Sequence, residues 1–100
     1  MDKLSSKQKK YLKSKAHPLR ALVQIGKAGV NEQTLQSISV ALDQHELVKV
    51  KFIAFKEDKE QFLEKIETEA NALFVSLIGH VLTLYRENKD PEKRNYNLPN

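Results

Sequence analysis

The sequence predicts an α/β fold, a single compact domain in which helices pack on a four-stranded mixed sheet. Helix-like and strand-like segments follow one another in the order α-β-α-β-α-β-β. Alternation of this kind favours parallel strands joined by helical crossovers. The last two strand-like runs flank the dipeptide Gly79-His80, which is typical of a hairpin turn and adds an antiparallel pair. At 100 residues the chain is long enough to bury one core.

A basic helix and a short strand open the domain. The helix is predicted for residues 5–16, because Ser5 and Gln8 have the spacing of a capping box, which satisfies two backbone N–H groups at a helix start. Pro18 disfavours helical backbone at the residue before it and therefore marks the end of the helix. Residues 20–25 follow as a strand with alternating apolar side chains.

The middle of the chain predicts a helix, a strand and another helix. Asn31 suits a helix N-cap, and apolar residues recur from Leu35 at spacings of three and four, which gives one buried helix face. Residues 47–55, LVKVKFIAF, begin by alternating apolar side chains with lysines, as a strand with one polar face does. Residues 57–70 carry the apolar stripe and the charged face of an amphipathic helix.

A hairpin and a polar segment complete the chain. Residues 73–78 and 81–86 are predicted to be its strands, with Gly79 supplying the positive φ of a type II′ turn. From Glu87 onward the sequence is polar, has two prolines and shows no periodicity. We therefore predict an ordered domain at residues 1–87 and a flexible polar tail at residues 88–100.

Charge is distributed unevenly along the chain, whose formal net charge is +4. Residues 1–20 hold seven basic side chains and one acidic one, whereas residues 57–70 hold six acidic and two basic ones. Such a dipolar arrangement orients a protein on a polyanion, with the basic part facing it. The basic side chains of the predicted first helix are Lys7, Lys9, Lys10, Lys13 and Lys15.

Membrane insertion is not favoured by the sequence. No apolar run approaches the ~20 residues of a spanning helix, and the basic N-terminus is not followed by the apolar core of a signal peptide. The first helix has too narrow an apolar side to insert into a lipid surface while also docking on a sheet. The sequence has no cysteine, so we expect a cytoplasmic protein without disulfides.

The sequence contains no recognisable set of catalytic residues. The three histidines, His17, His45 and His80, have no metal-ligand partner at the third or fourth residue beyond. The GKAG loop fails as a Walker A motif, because Lys27 is followed by Ala28 rather than by serine or threonine. We therefore expect no catalytic residue, no metal and no cofactor.

The stretch QIGKAG, residues 24–29, uses two of the three glycines in the chain. A Gly-x-x-Gly sequence between a strand and a helix places free N–H groups near the positive end of the helix and lets a sugar–phosphate backbone approach closely. KH domains clamp single-stranded nucleic acid with such a loop. The same pattern also occurs in ordinary turns, so the residues alone leave both readings open.

Several motifs occur together in this chain: a basic first helix, HPL before the first strand, the GKxG loop, HELVKVK in the second strand and a final hairpin ending in LYR. They span roughly residues 3–87 and closely resemble the CRM domain (chloroplast RNA splicing and ribosome maturation), especially its small stand-alone bacterial members, the YhbY-like proteins. The resemblance implies a fold similar to the C-terminal domain of bacterial translation initiation factor three.

The resemblance also implies an RNA-binding protein without catalytic activity, associated with precursors of the large ribosomal subunit. Carried over by position, the GxxG loop is Gly26, Lys27, Ala28 and Gly29, and the basic helix contributes its five lysines. From charge and position we add four further candidates for RNA contact, Arg20, Lys49, Lys51 and Arg86.

The expected function is therefore binding of ribosomal RNA by a monomer that aids assembly of the large subunit, with ribosomal proteins considered as additional partners. The alternative is an interaction adaptor whose basic helix docks on an acidic protein. Co-purification of nucleic acid, and loss of ribosome association after nuclease treatment, distinguish the first from the second.

Overall fold

The computed structural model of the protein describes residues 3–100. Three α-helices and four strands are assigned within that range. Two 3₁₀ turns accompany them, at Lys59–Phe62 and Pro91–Lys93. The elements in chain order are α1 (Ser6–Ala16), β1 (Ala21–Ile25), α2 (Glu32–His45), β2 (Leu47–Phe52), α3 (Leu63–Glu69), β3 (Leu73–Ile78) and β4 (Val81–Tyr85).

The strands form one mixed sheet in the order β1-β2-β4-β3. β1 pairs with β2 in parallel, and β4 runs antiparallel to both of its neighbours, β2 and β3. The predicted element order and the four-stranded mixed sheet are therefore confirmed. Of the two central residues of the hairpin, Gly79 alone has a positive φ, +58°, as a type II′ turn requires.

Helices cover the two faces of the sheet unequally. α2 and α3 pack on one face around a large apolar cluster that includes Ile38 and Ile66, both fully buried. α1 packs on the other face through Leu12 and Ala16 around a smaller cluster. The sheet lies between these two layers, as in other α/β domains. Part of the second face, beside Lys49 and Lys51 of β2, is open to solvent; we call it the uncovered half.

Both helix starts for which the sequence predicts a capping residue are confirmed. The Ser5 hydroxyl accepts a hydrogen bond from the Gln8 backbone N–H, while the Gln8 side chain accepts one from the Ser5 N–H, which completes a capping box. The Asn31 side chain accepts a hydrogen bond from the Thr34 N–H at 2.9 Å and caps α2. Local side-chain chemistry thus sets where α1 and α2 begin.

The region between β2 and α3 differs from the prediction. β2 ends at Phe52 rather than Phe55, because the N–H groups of Ile53 and Ala54 both donate to the Ile25 carbonyl and turn the chain away from the ladder. Phe55 then takes a positive φ of +57°. The following helix starts as a 3₁₀ turn and becomes α-helical only at Leu63.

The C-terminal segment, residues 88–100, packs along the α1 side of the sheet, and its flexibility stays a prediction of the sequence. Glu46, buried to 1% exposure, accepts hydrogen bonds on its two carboxylate oxygens from the backbone N–H groups of Asn88 and Asn95. Tyr96 and Leu98 pack against the smaller apolar cluster. Two carboxylate hydrogen bonds and these apolar contacts account for the packed path.

Tyr96 of this segment packs edge to face on Tyr85 of β4, with ring centroids 6.5 Å apart. Burial raises the pKa of Tyr85 to about 12, and the negative charge of Glu46 adds to this effect. The Tyr85 hydroxyl has no hydrogen-bond partner among the described residues. Burial also raises the pKa of Tyr96.

Replacing the buried carboxylate should release the C-terminal segment. Alanine at φ +61° carries the same backbone strain as Glu46, so Glu46→Ala mainly removes the two charge-assisted hydrogen bonds. We expect the free energy of unfolding to fall by about 2–3 kcal/mol, measured by urea denaturation. Glu57→Ala, at an exposed position, is the matched control. Limited proteolysis that cuts residues 88–100 equally fast in Glu46→Ala and the parent would contradict the assigned role.

Candidate nucleic-acid interface

The GKAG loop is a tight turn at the end of β1. The Gly29 N–H donates to the Gly26 carbonyl at 3.0 Å, which closes the turn. Lys27 and Ala28 form its exposed tip, whereas Gly29 is buried. The loop therefore presents one lysine, flanked by small residues, at the point where α2 begins.

The fold requires glycine at only one of the two glycine positions of the loop. Gly29 has φ +74°, in the left-handed region that side chains with a β-carbon rarely adopt, so the fold itself requires glycine there. Gly26 has no such φ, and a β-carbon at that position would meet nothing within 4 Å. Neither backbone conformation nor internal packing explains Gly26. The absence of a side chain at Gly26 leaves open space beside Lys27.

A shallow groove runs from this loop along the start of α2 and the exposed edge of β1. Its lining has no acidic side chain and is rich in amide and hydroxyl groups, which can form hydrogen bonds with phosphates, sugars and bases. Leu22, 55% exposed, adds an apolar surface. The polar side chains of the lining are Gln24, Asn31, Gln33, Thr34 and Ser37.

The first helix turns its lysines outward while its apolar side docks on the sheet. Lys7, Lys10 and Lys13 are exposed. Lys9 and Lys15 lie over aromatic rings, with ammonium nitrogens 5.4 Å from the Phe74 centroid and 5.6 Å from the Tyr11 centroid. Among residues 3–100 the ion pairs are Arg86–Asp43 and Arg94–Glu87, so none of them neutralises α1.

The uncovered half of the sheet face lies between α1 and the loop. Arg20, Lys49 and Lys51 line one depression there, together with Gln24. Gln24 also lines the groove beside the GKAG loop, so the two surfaces are continuous. The Lys49 ammonium donates to the Leu19 carbonyl at 3.1 Å, which fixes the connection between α1 and β1. Lys49 thus has a structural contact as well as a place on this surface.

Arg86 lies apart from the other predicted contact residues. Its guanidinium donates to the Ser39 carbonyl at 2.6 Å, the Ala70 carbonyl at 2.7 Å and the Asp43 carboxylate at 2.8 Å. The side chain is 14% exposed, and these bonds tie β4 to α2 and to the end of α3. Its donors are therefore occupied within the protein, which argues for a structural role and leads us to leave Arg86 out of the interface.

Phe55 lies beside the loop, although sequence reasoning does not select it. The β-carbon that Gly29 lacks would lie 3.6 Å from Cε2 of the Phe55 ring. In the sequence Phe55 looks like the last residue of an apolar strand, so no local signal marks it. The tight turn after β2 brings its ring to the loop.

The described residues offer no metal centre and no membrane-spanning helix. Within residues 3–100 no group of three or more histidine, aspartate or glutamate side chains is placed to hold a metal ion. No helix in that range is long and apolar enough to cross a bilayer.

Fold and surface together define a small α/β domain. It has a glycine turn between its first strand and second helix, and a lysine-rich helix on the face of the sheet opposite to that second helix. The model of the CRS1 / YhbY (CRM) domain family matches residues 4–86, and the chain belongs to this family. The resemblance inferred from the motifs is confirmed.

Two bacterial relatives match this chain over nearly their whole length. It is 38% identical over 97 residues to "Probable RNA-binding protein YqeI" of Bacillus subtilis, covering 96% of this chain and 99% of that protein. It is 43% identical over 91 residues to an "RNA-binding protein" of Haemophilus influenzae, covering 90% and 92% respectively. The solution structure of SAV1595 from Staphylococcus aureus, a candidate RNA-binding protein, superposes with a TM-score of 0.80 at 35% identity, covering 96% of this chain and 99% of that one.

The two loop glycines should respond differently to alanine. Gly29→Ala should lower the free energy of unfolding by about 1–2 kcal/mol, because alanine is strained at φ +74°. Gly26→Ala should leave it within about 1 kcal/mol of the parent, because the added methyl group meets open space. Urea denaturation of both variants measures the contrast. Equal destabilisation by the two changes would show that Gly26, too, is required by the fold.

Proposed function

We propose that this protein is a non-catalytic RNA-binding protein that binds ribosomal RNA in precursors of the large ribosomal subunit and aids its assembly. The observation that carries the proposal is the open space at Gly26, beside the exposed Lys27 and at the head of a groove without acidic lining. A glycine that the fold does not require is best explained by a ligand that must approach the backbone. The names of the relatives supply independent support.

In this mechanism charge supplies most of the affinity and the loop supplies position. The exposed lysines of α1, together with Lys27, neutralise phosphates and release their counterions. Gly26 lets the sugar–phosphate backbone reach the turn, and the polar groove along α2 offers hydrogen bonds to it. Arg20 and Lys51, on the uncovered sheet face, extend the basic surface between helix and loop.

The ribosomal target rests on the resemblance to the stand-alone bacterial members of the family. It is tested by sedimenting cell extracts that contain the tagged protein, with and without prior ribonuclease treatment. We expect co-sedimentation with large-subunit precursors and its loss after nuclease. Association that survives nuclease would point to the alternative, an acidic protein partner for α1.

Removing charge from the loop and helix should weaken binding in a way that salt reveals. We expect Lys27→Gln, and separately the triple change Lys7→Gln, Lys10→Gln and Lys13→Gln, to lower affinity for large-subunit ribosomal RNA fragments. The slope of log affinity against log salt should become shallower by about 0.7–0.9 for each phosphate that the variant no longer neutralises. Filter binding or fluorescence anisotropy across a salt series measures both quantities.

Lys65→Gln is the matched control, since it removes the same charge from an exposed position on the acidic helix α3. It should change the affinity by less than about twofold and leave the salt slope as in the parent. The proposal fails if the loop and helix variants keep the parent's affinity and slope. It also fails if Lys65→Gln lowers both as much as they do.

A further inference from the structure

Three phenylalanine rings form a series from the core of the protein to its surface. Phe52 is fully buried at the end of β2, and its ring stacks at a centroid distance of 6.4 Å on that of the half-buried Phe62. Phe62 in turn meets Phe55 in a T-shaped pair at 5.2 Å. Phe55 is 37% exposed. A rigid aromatic ring, supported from within, is therefore presented to solvent.

This ring is placed at the GKAG loop. Cε2 and Cζ of Phe55 would lie 3.6 and 3.7 Å from a β-carbon on Gly29, so one ring edge rests against the loop. The backbone is held by the hydrogen bonds of Ile53 and Ala54 to the carbonyl of Ile25, the last residue of β1 before the loop. Loop and ring are thus fixed to the same strand end.

Phe55 keeps its position at a conformational cost. A positive φ of +57° is rare for a bulky residue because it strains the backbone, and glycine would avoid that strain. Such outliers cluster at sites where ligands bind. A strained, half-exposed aromatic residue beside a phosphate-binding loop therefore calls for a functional explanation.

We propose that Phe55 is a stacking surface for an unpaired nucleobase, and that the loop consequently takes a single-stranded segment of RNA. Flat aromatic rings stack on bases that have been splayed out of a helix, whereas bases within a duplex are stacked on one another and inaccessible. This inference rests on the proposed function and specifies its substrate.

The charges near Phe55 bear on the orientation of the strand. Residues 56–60, KEDKE, follow Phe55 in the chain and carry three carboxylates and two ammonium groups, so this side has a small net negative charge and is less attractive to phosphates than the loop side. Lys27 attracts them on the loop side. The neutral base is accordingly directed toward the Phe55 ring, and the sugar–phosphate backbone toward Lys27 and Gly26.

The test compares one RNA sequence in two forms, as a single strand carrying 2-aminopurine and annealed to its complement. Phe55→Ala and Phe55→Gly should lower affinity for the single strand about 5- to 150-fold, which corresponds to about 1–3 kcal/mol for removal of one base stack. Duplex affinity should change less than about twofold. The salt slope should stay as in the parent, because a stacked base releases no counterion.

Phe55→Gly keeps the experiment interpretable, because it removes the positive-φ strain together with the ring and so retains the fold. Phe55→Tyr should bind like the parent and keep the 2-aminopurine quenching that stacking produces. Val40→Ala, which truncates an apolar side chain 42% exposed on α2 outside the interface, is the control.

The outcomes separate this inference from the proposed function. If Phe55→Gly binds the single strand as tightly as the parent while Lys27→Gln binds weakly, the stacking role is wrong and the RNA-binding proposal stands. If Phe55→Gly weakens single strand and duplex equally, stacking is likewise refuted. If neither of these changes nor the triple lysine change in α1 affects RNA affinity, both proposals fail. Nuclease-resistant ribosome association that depends on Phe55 would assign the ring to a protein contact.

Discussion

The register of the parallel β1–β2 pair decides which surfaces of the molecule meet. Ile25 lies opposite Phe52 at one end, so the loop that leaves β1 and the turn that leaves β2 emerge side by side. At the other end Ala21 lies opposite Lys49, whose ammonium then reaches the connection from α1. A shift of one residue would turn alternate side chains to the other face and separate these contacts. Loop, groove and basic face all depend on this single pairing.

The sheet also separates charge. α1 and α3 pack on opposite faces, so most of the lysine-rich helix lies away from the acidic helix, and the two come together only at the β3 edge, where Lys9 and Glu67 line one cleft. A formal net charge of +4 therefore understates the field on the α1 side. Opposed faces of this kind orient a molecule before it makes contact. The proposed RNA path follows the basic face. It reaches acidic side chains only near Phe55, where a base of the RNA, rather than a phosphate, would face the protein.

Local chemistry was sufficient to predict most of the fold. The Ser5 capping box, the Asn31 cap and the Gly79 hairpin turn are each determined by neighbouring residues, and the structure confirms all three. Two features were not predictable from local pattern. Glu46 and Phe55 both adopt positive φ, and in the sequence each looks like an ordinary helix end or strand residue. The Glu46 carboxylate binds Asn88 and Asn95, and the turn before Phe55 is held by Ile25, so both positions involve residues distant in the chain.

Some features of the candidate site were likewise visible in the sequence and others were not. The GKAG turn and the basic helix were visible as motifs, since glycine spacing and lysine content are properties of the sequence. For Arg86 and Phe55 the packing adds information that residue type does not carry. The donors of Arg86 are taken up by α2 and the end of α3, whereas the Phe55 ring reaches the loop only through the turn after β2. Neither outcome can be read from residue type, because both depend on where distant segments meet.

The position of β4 has a consequence for synthesis of the chain. β4 lies between β2 and β3 and is the last to be made of the four strands in the described residues. Until it leaves the ribosome, β3 has no partner and β2 has only β1, so the nascent chain presents unpaired strand edges that invite aggregation. The native sheet therefore closes late, and the buried Glu46 acquires its partners Asn88 and Asn95 later still. Folding of this small domain is completed only after residues 88–95 have left the ribosome.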